Sequence, residues 1–410
     1  MAVNRADISA LARDIGPRLP GTGKERRAVH YVMRRLREIG VPAALLPVRV
    51  PPSFAFMYVV LFCWIAVGVP IGILSPLIGF IISLLGAIVF GLELVRVPVI
   101  SRLFATRRGS NVLGIIPARV NDEIGQPARR VILTAHLDTA RSGLLWHTSL
   151  IKSLRALIIT IVSCVVLIPL LLLLGNFGRL SSIWQIAWLP MIILLLVATL
   201  LTEAELRGEA LDGANDNASG VAALIALAST LKNDHLDNVE TWLLCTTGEE
   251  AGQVGMHGFL RDNSFLPGET YFVNLDQVGA GTIHYTQSEG LLRSRPSSDQ
   301  LLKYAREIAS RHFEWGLKPA NYRLMPTDQY AALIEGYEAI SIIGLDENGL
   351  PPHWHQTSDT LDAVDIDTVQ IAADLAYELI RKINTEVRPR PSLADTQDLP
   401  LPVTEDVTSS

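Results

Sequence analysis

Residues 213–250 read GANDNASGVAALIALASTLKNDHLDNVETWLLCTTGEE, and this stretch decides the fold class. Apolar residues recur at helical spacing over 217–232, and an apolar, β-favouring run follows at 240–246. Acidic residues stand at both boundaries, with Asp216 before the helix and a Glu pair after the strand. Alternation of amphipathic helices with short buried strands is typical of an α/β sheet.

The same alternation continues along the rest of the chain. The predicted strands lie at 43–50, 111–117, 130–135, 240–246, 270–276 and 338–344, and the predicted helices lie within 5–40 and at 217–232, 250–261, 297–312, 327–335 and 365–385. We therefore expect an α/β fold with a mixed, mostly parallel sheet and helices on both faces.

The composition indicates that part of the chain lies in a lipid bilayer. Charged residues make up only 19% of the 410 residues, against about 25% in soluble domains. Three stretches, 54–92, 156–178 and 180–202, contain no Asp, Glu, Lys or Arg. A bilayer core needs about 20 apolar residues per helix. The first stretch has room for two spans broken near Ser75-Pro76, so the sequence predicts four transmembrane helices in two hairpins.

The two predicted hairpins interrupt one soluble domain. The expected boundaries are 1–53, 96–150 and 204–385 for the discontinuous domain, 54–95 for the first hairpin, 151–203 for the second hairpin, and 386–410 for a disordered tail. The net charge of −6 argues against nucleic acid as a partner.

Five clusters of acidic residues and His lie at the ends of predicted strands or in the loops that join them to helices. They contain His136 and Asp138, then Asp216, then Glu249 and Glu250, then Asp276, and last His355 and Asp359. The carboxyl ends of strands in an open α/β sheet converge on one crevice. Two His and three carboxylates, one of them shared, supply three ligands to each of two metal ions, and these donors suit Zn²⁺, with Mn²⁺ or Co²⁺ as alternatives. Two-metal hydrolysis needs such a site with an open position on each ion.

Each cluster alone also has an ordinary structural explanation as a turn, a helix cap or a favourable contact with a helix dipole. All five in this order resemble the di-zinc exopeptidases of clan MH, the group of bacterial leucyl aminopeptidases, plasma glutamate carboxypeptidase and the endoplasmic-reticulum metallopeptidase. The resemblance covers about 5–48 and 110–385 and includes the Gly16-Pro-Arg-Leu-Pro-Gly21 segment. It implies the zinc exopeptidase fold, with both hairpins as insertions.

The resemblance also implies a role for each site residue. His136 and Asp276 would hold one Zn²⁺, Glu250 and His355 would hold the other, and Asp216 would bridge both. Glu249 would be the general base. The surrounding residues would be Asp138, which would accept a hydrogen bond from His136, together with Asp328 and Asp359.

Two further features follow from comparison with the family pattern. A cis peptide would fall at Asp216-Asn217. Trp354 stands where some relatives have a Tyr that polarises the scissile carbonyl, so the partner of the oxyanion stays open.

We expect a membrane-anchored zinc aminopeptidase that acts on short peptides. The alternatives are a carboxypeptidase or dipeptidase, a glutaminyl-cyclase-like enzyme on the same site, and a non-catalytic membrane receptor or assembly subunit. Loss of ligands would mark the last case, and every ligand of the pattern is present.

The two predicted hairpins also bear on where the active site lies and on which side of the membrane the soluble segments lie. The second hairpin is inserted between His136 and Asp216, so we expect it close to the active-site crevice. Four spans would leave every soluble segment on one side, and Lys and Arg near the span ends favour the cytoplasmic side. Those counted are Arg49, Arg96, Arg102, Arg107, Arg108, Arg141, Lys152, Arg155 and Arg207, against Arg179 on the opposite side. We expect an integral protein of a bacterial cytoplasmic membrane.

Overall fold

The computed structural model describes residues 2–95, 97, 99–104, 106–119, 129–177 and 182–386. A helix continues through Glu386, so the predicted tail begins one residue too early. The rest of that tail, residues 387–410, lies outside the described residues. Arg96 and Arg179, which entered the charge count, lie outside them as well.

The described strands form one mixed sheet. They are β1 (Ala43–Val50), β2 (Arg107–Ile116), β3 (Arg129–His136), β4 (Val239–Thr246), β5 (Thr270–Asp276), β6 (Thr282–Glu289), β7 (Arg295–Pro296), β8 (Lys318–Tyr322) and β9 (Glu338–Leu345). Their order is β1-β2-β4-β3-β5-β9-β6-β7, with β8 beside β6. The four central strands β4, β3, β5 and β9 are mutually parallel. The predicted mixed, mostly parallel sheet is confirmed.

Strands β6, β7 and β8 escaped the sequence prediction. All three lie at one side of the sheet, where β6 joins β9 antiparallel and carries both β7 and β8. β6 (TIHYTQSE) mixes polar and apolar residues without a continuous apolar run, and β8 (KPANY) contains Pro319. Outer strands such as β8 tolerate Pro and polar residues because one side makes no ladder hydrogen bonds.

Helices cover both faces of the sheet. The described α-helices are α1 (Arg5–Ser9), α2 (Gly23–Ile39), α3 (Ala55–Ile71), α4 (Pro76–Leu94), α5 (Ser101–Phe104), α6 (Thr148–Ile151), α7 (Leu154–Leu174), α8 (Trp188–Arg207), α9 (Gly220–Asn233), α10 (Val254–Asp262), α11 (Asp299–Arg311), α12 (Asp328–Ile334) and α13 (Ile366–Glu386). One core joins α2, α9, α11 and α13 to the sheet, and a smaller core joins α10 and α12 to it. The prediction of helices on both faces is confirmed.

Helix α2 shows how local sequence sets an element. Thr22 caps its amino end by accepting the Glu25 N–H at 3.4 Å, and the Glu25 carboxylate accepts the Gly21 N–H at 2.7 Å. The two bonds form a capping box. The helix ends at Gly40, whose φ of 86° suits glycine.

Among the described residues, three helical segments are long and apolar enough to cross a membrane by length and composition: Pro76–Leu94, Leu154–Leu174 and Ile183–Arg207. The prediction of four spans is therefore wrong on this criterion. The remaining apolar helix, α3, has only 17 residues, which is about 25 Å at 1.5 Å per residue. It is short because Pro51-Pro52 precede it and because Ser75 caps the next helix at Pro76.

The chain segments before and after each apolar helix pair lie close together. Strand β1 precedes α3 and β2 follows α4, and the two strands pair from Ala43↔Gly114 to Val50↔Arg107. A bridge between Arg141 and Ala210 likewise joins the segments before α7 and after α8. The segments that flank each helix pair therefore lie side by side.

Candidate active site

The sheet brings the predicted ligands to one edge. His136 is the last residue of β3 and Asp276 the last of β5, and these parallel strands are neighbours. Asp216 lies in the turn before α9, Glu250 follows β4, and His355 follows β9. All five therefore meet at the carboxyl ends of the central strands.

The five side chains form two groups that share Asp216. In the first group, His136 Nε2 lies 3.1 Å from Asp216 Oδ1 and 3.5 Å from Asp276 Oδ1. In the second group, His355 Nε2 lies 3.1 Å from Glu250 Oε2 and 3.7 Å from Asp216 Oδ2. Within each group, one ligand atom per residue lies within 4.8 Å of the others. The two oxygens of Asp216 thus face two different imidazoles.

The donor set fits zinc. Asp276 Oδ1 and Glu250 Oε1 are buried and have no hydrogen-bond partner among the described residues. A buried carboxylate oxygen without a partner is costly, and a cation at these positions would remove that cost. Imidazole nitrogen and carboxylate oxygen are the donors that Zn²⁺ takes in catalytic sites.

Asp138 does not make its predicted carboxylate contact with His136. Its carboxylate lies 3.8 Å from His136 Nδ1, whereas its backbone carbonyl lies 3.1 Å from that nitrogen. The predicted hydrogen bond from His136 to the carboxylate is therefore wrong. The reason is that both carboxylate oxygens accept backbone N–H groups, from Glu249 at 3.1 Å and from Glu250 at 3.0 Å. Asp138 thereby ties the Glu pair to the end of β3.

Asp359 holds the turn that carries Asp216. Its two oxygens accept the N–H groups of Asn215 at 2.6 Å and of Asp216 at 3.0 Å. Burial raises the pKa of Asp359 to about 7. The peptide bond between Asp216 and Asn217 is cis, at the position that the resemblance implies.

Asp328 and Glu249 complete the acidic surroundings. The Thr246 hydroxyl donates to the Asp328 carboxylate, and burial raises the pKa of Asp328 to about 6. Burial also raises the pKa of Glu249 well above its ordinary value, and the neighbouring Glu250, Asp328 and Asp276 carboxylates raise it further. A carboxylate with a raised pKa beside metal ligands is suited to proton transfer.

Arg18 is a site residue to which the sequence analysis gave no role. Its guanidinium is buried and donates to the carbonyls of Leu137 at 2.8 Å, Asp212 at 2.7 Å and Gly213 at 2.8 Å. Burial lowers its pKa to about 10, while the Asp359, Asp138 and Asp216 carboxylates act in the opposite direction. It joins the segment after His136 to the turn before Asp216. The Gly16–Gly21 motif was the only signal for it.

A cavity opens beside Glu250 and His355. Its lining residues are Pro20, Pro52, Ser53, Phe54, Ala55, Thr139, Ala140, Arg141, Leu145, Trp146, Leu201, Ala204, Glu205, Glu250 and His355. Leu201, Ala204 and Glu205 belong to the last turns of α8, and Ala55 begins α3. The expectation that the second hairpin lies close to the crevice is confirmed.

Two Trp side chains form the apolar wall behind His355. The Trp146 ring meets the His355 ring edge-on at 4.3 Å between centroids, and Trp354 lies 4.8 Å from His355. Both Trp residues belong to the hydrophobic core that the apolar helices build. His353 lies outside both metal-ligand groups, with Nδ1 at 2.8 Å from Ser358 Oγ.

Comparison with solved structures shows the same fold. A zinc aminopeptidase of Bacillus subtilis aligns with a TM-score of 0.57 at 13% identity, over 94% of this chain and 96% of that one. An aminopeptidase of Aneurinibacillus sp. strain AM-1 gives 0.55 at 13% identity, over 93% and 94%. A Porphyromonas gingivalis glutaminyl cyclase gives 0.51 at 14% identity, over 93% and 99%. The fold is that of the zinc exopeptidases.

A comparison with sequence models of protein families gives a match to one peptidase family. The sequence model of peptidase family M28 matches residues 198–380, which contain Asp216, the Glu pair, Asp276 and His355. A comparison with curated proteins gives no match. Residues 198–380 are therefore similar to peptidase family M28, and with the shared fold they identify the chain as a zinc metallopeptidase.

Proposed function

We propose that the protein is a membrane-anchored aminopeptidase that removes amino-terminal residues from short peptides and uses two Zn²⁺ ions per chain. The observation that carries the proposal is the position of Asp216 between two His residues, at 3.1 and 3.7 Å. A single carboxylate shared between two three-ligand groups is the arrangement that a two-metal hydrolase requires.

The roles proposed for the side chains follow from this arrangement. His136 and Asp276 hold one ion, Glu250 and His355 hold the other, and Asp216 bridges them. The ions, when bound, supply Lewis-acid polarisation of the scissile carbonyl and lower the pKa of water.

Glu249 lies in neither ligand group, and its carboxylate interacts electrostatically with His136, Glu250 and Asp276. It takes the proton from the attacking water and delivers it to the leaving amino group. Asp138 and Asp359 fix the two turns that carry Glu249 and Asp216, so their role is to hold geometry. Asp328 contributes negative charge beside Glu249 and Asp276, which favours the protonated form of the base.

The apolar helices support the membrane part of the proposal. Large apolar side chains on α4, α7 and α8 stay exposed, among them Leu77 and Leu85, Val166 and Leu170, and Leu189 and Leu196. Exposed apolar surface on that scale fits lipid better than water. Exposed cations at the helix ends favour a catalytic domain on the cytoplasmic face of a bacterial membrane: Arg102, Lys152, Arg155 and Arg207.

One observation supports a carboxypeptidase or dipeptidase as the second candidate. Arg141 lines the cavity beside the ligands and carries a charge that suits a substrate carboxylate.

The test uses the full-length chain purified in detergent with Zn²⁺. Aminoacyl amides are compared with their N-acetylated forms, and carboxy-terminal release and ammonia release from glutaminyl peptides are measured alongside. We expect cleavage of substrates with a free amino terminus, loss of activity with a chelator, and recovery with Zn²⁺. Preferential carboxy-terminal release would favour the second candidate, ammonia release would indicate a cyclase, and no turnover by zinc-loaded protein would refute the proposal.

A further inference from the structure

The active-site cavity contains an acidic side chain that the proposed metal site does not use. Among the described residues that line the cavity, Glu250 and Glu205 are the acidic ones. Glu250 faces His355 in the second ligand group. Glu205 comes from the last turn of α8, so an inserted apolar helix delivers it to the cavity.

The contacts of Glu205 orient its carboxylate through one hydrogen bond and one ion pair. The Ser53 hydroxyl donates to Oε1, and Ser53 Oγ itself accepts the Ala55 N–H at 2.9 Å. Oε2 forms an ion pair with Arg141, at 3.8 Å from Nε, which is too long for a hydrogen bond. The side chain is only 14% exposed, so this oxygen is positioned in a partly desolvated wall of the cavity.

The neighbouring Arg141 guanidinium does not prevent Glu205 from binding a cationic ligand. Arg141 donates through Nη1 to the Gly208 carbonyl at 3.0 Å, which holds its guanidinium against the backbone after α8. Its side chain is 34% exposed, more than twice the exposed fraction of Glu205. Solvent therefore screens the Glu205 carboxylate less than the Arg141 guanidinium. Of these two groups, Glu205 should bind an ionic ligand more strongly.

We propose that Glu205 is a specificity-determining residue that binds the α-ammonium group of the peptide substrate. The inference rests on the proposed aminopeptidase function and names the group that selects a free amino terminus. A hydrogen bond between an ammonium and a carboxylate is charge-assisted, and blocking the amine removes its charge. The inserted helices then contribute to substrate choice as well as to anchoring.

The test substitutes Glu205→Gln in the full-length, zinc-loaded chain. Glutamine keeps an oxygen to accept the Ser53 hydroxyl, so the variant removes charge and preserves the contact. We expect KM for an aminoacyl amide to rise roughly 10- to 100-fold with kcat nearly unchanged. The slow rate of cleavage of the N-acetylated amide should not change. The preference of the enzyme for the free amine over the acetylated form should therefore fall by the same factor, roughly 10- to 100-fold.

Two matched variants separate the alternatives. Ser53→Ala removes the hydrogen bond and keeps the charge, and it should leave KM within about twofold. If Ser53→Ala reproduces the effect of Glu205→Gln, the tether alone matters and the inference is overturned. If, with a dipeptide that has a free carboxylate, Arg141→Gln raises KM and Glu205→Gln does not, the cavity recognises a carboxylate and the inference is overturned as well.

A binding measurement separates this inference from the proposed function. Calorimetry with leucine amide and N-acetyl-leucine amide is done on the zinc-loaded Glu249→Gln chain, which keeps turnover low. Tighter binding of the free amine that disappears with Glu205→Gln supports the inference, even if the wild type cleaves neither compound. Equal binding of both compounds overturns it, even if the wild type is an active peptidase.

Discussion

Replacement of Asp216 by Ala should remove both zinc ions, whereas replacement of Asp276 by Ala should remove one. The reason is geometric. The oxygens of Asp216 lie 3.1 Å from His136 Nε2 and 3.7 Å from His355 Nε2, so the residue belongs to both ligand groups. Asp276 contacts only the His136 group.

The size of the effect follows from counting protein ligands. Asp216→Ala leaves two ligands in each group, and Asp276→Ala leaves two in one group and three in the other. Loss of a partner outside the first coordination shell already costs about 10- to 100-fold in metal affinity. Loss of a direct ligand should cost more than that, so we expect fewer than one zinc per Asp216→Ala chain and about one per Asp276→Ala chain.

Equilibrium dialysis against buffered zinc, followed by elemental analysis, measures this stoichiometry. Glu347→Ala provides the control, because Glu347 is an exposed acid after β9 and should leave two ions bound. Thermal unfolding in chelator checks that each variant folds without metal. Two zinc ions on a folded Asp216→Ala chain would refute the bridging role, and loss of both ions from Asp276→Ala would refute the division into two groups.

Three further predictions follow from the same structure. Glu249→Gln should lower kcat by roughly 10²- to 10⁴-fold and keep two zinc ions, because Glu249 lies in neither ligand group; wild-type turnover contradicts this. Burial raises the pKa of Glu289 to about 8 from an ordinary value of 4.5, so the folded state retains a proton that the unfolded state loses. Stability should therefore fall as pH rises from about 4.5 to 8, by up to about 1.4 kcal/mol per pH unit, and Glu289→Gln should flatten this slope in chemical denaturation; an unchanged slope contradicts it. For the orientation, a Cys-free chain carrying Glu347→Cys or Phe177→Cys is labelled with an impermeant maleimide on intact cells, and labelling at 177 alone is expected; labelling at 347 alone inverts the orientation.

The sequence could predict the centre of the fold because the central strands are buried on both faces. β5 (TYFVNLD) is buried along its whole length, and its predicted bounds, 270–276, match the observed strand. Such strands form short, continuous apolar runs, and their ligands follow at a fixed end. Because His136 and Asp276 end such strands, their positions at the edge of the sheet could be predicted from the sequence.

Other features depend on contacts that no local pattern encodes. Arg18 bonds to backbone carbonyls more than 100 residues away, at Leu137 and Gly213, and the Gly16–Gly21 motif around it does not encode these contacts. Whether the carboxylate or the carbonyl of Asp138 accepts from His136 depends on the turn at 249–250, which competes for the carboxylate. The length of α3 depends on where its flanking Pro residues stop the helix.

The apolar helices and the active site form one physical unit. The core that contains Leu61 of α3 and Leu194 of α8 also contains Trp146, whose ring packs on His355. Movement of α8 relative to the sheet would therefore displace both the wall behind a proposed zinc ligand and the Glu205 carboxylate. Because the ends of α3 and α8 line the cavity, a substrate of the proposed peptidase would lie beside the ends of the apolar helices. On this geometry, the proposed anchoring and the proposed substrate selection depend on the same packing, and changes in the apolar helices should alter both.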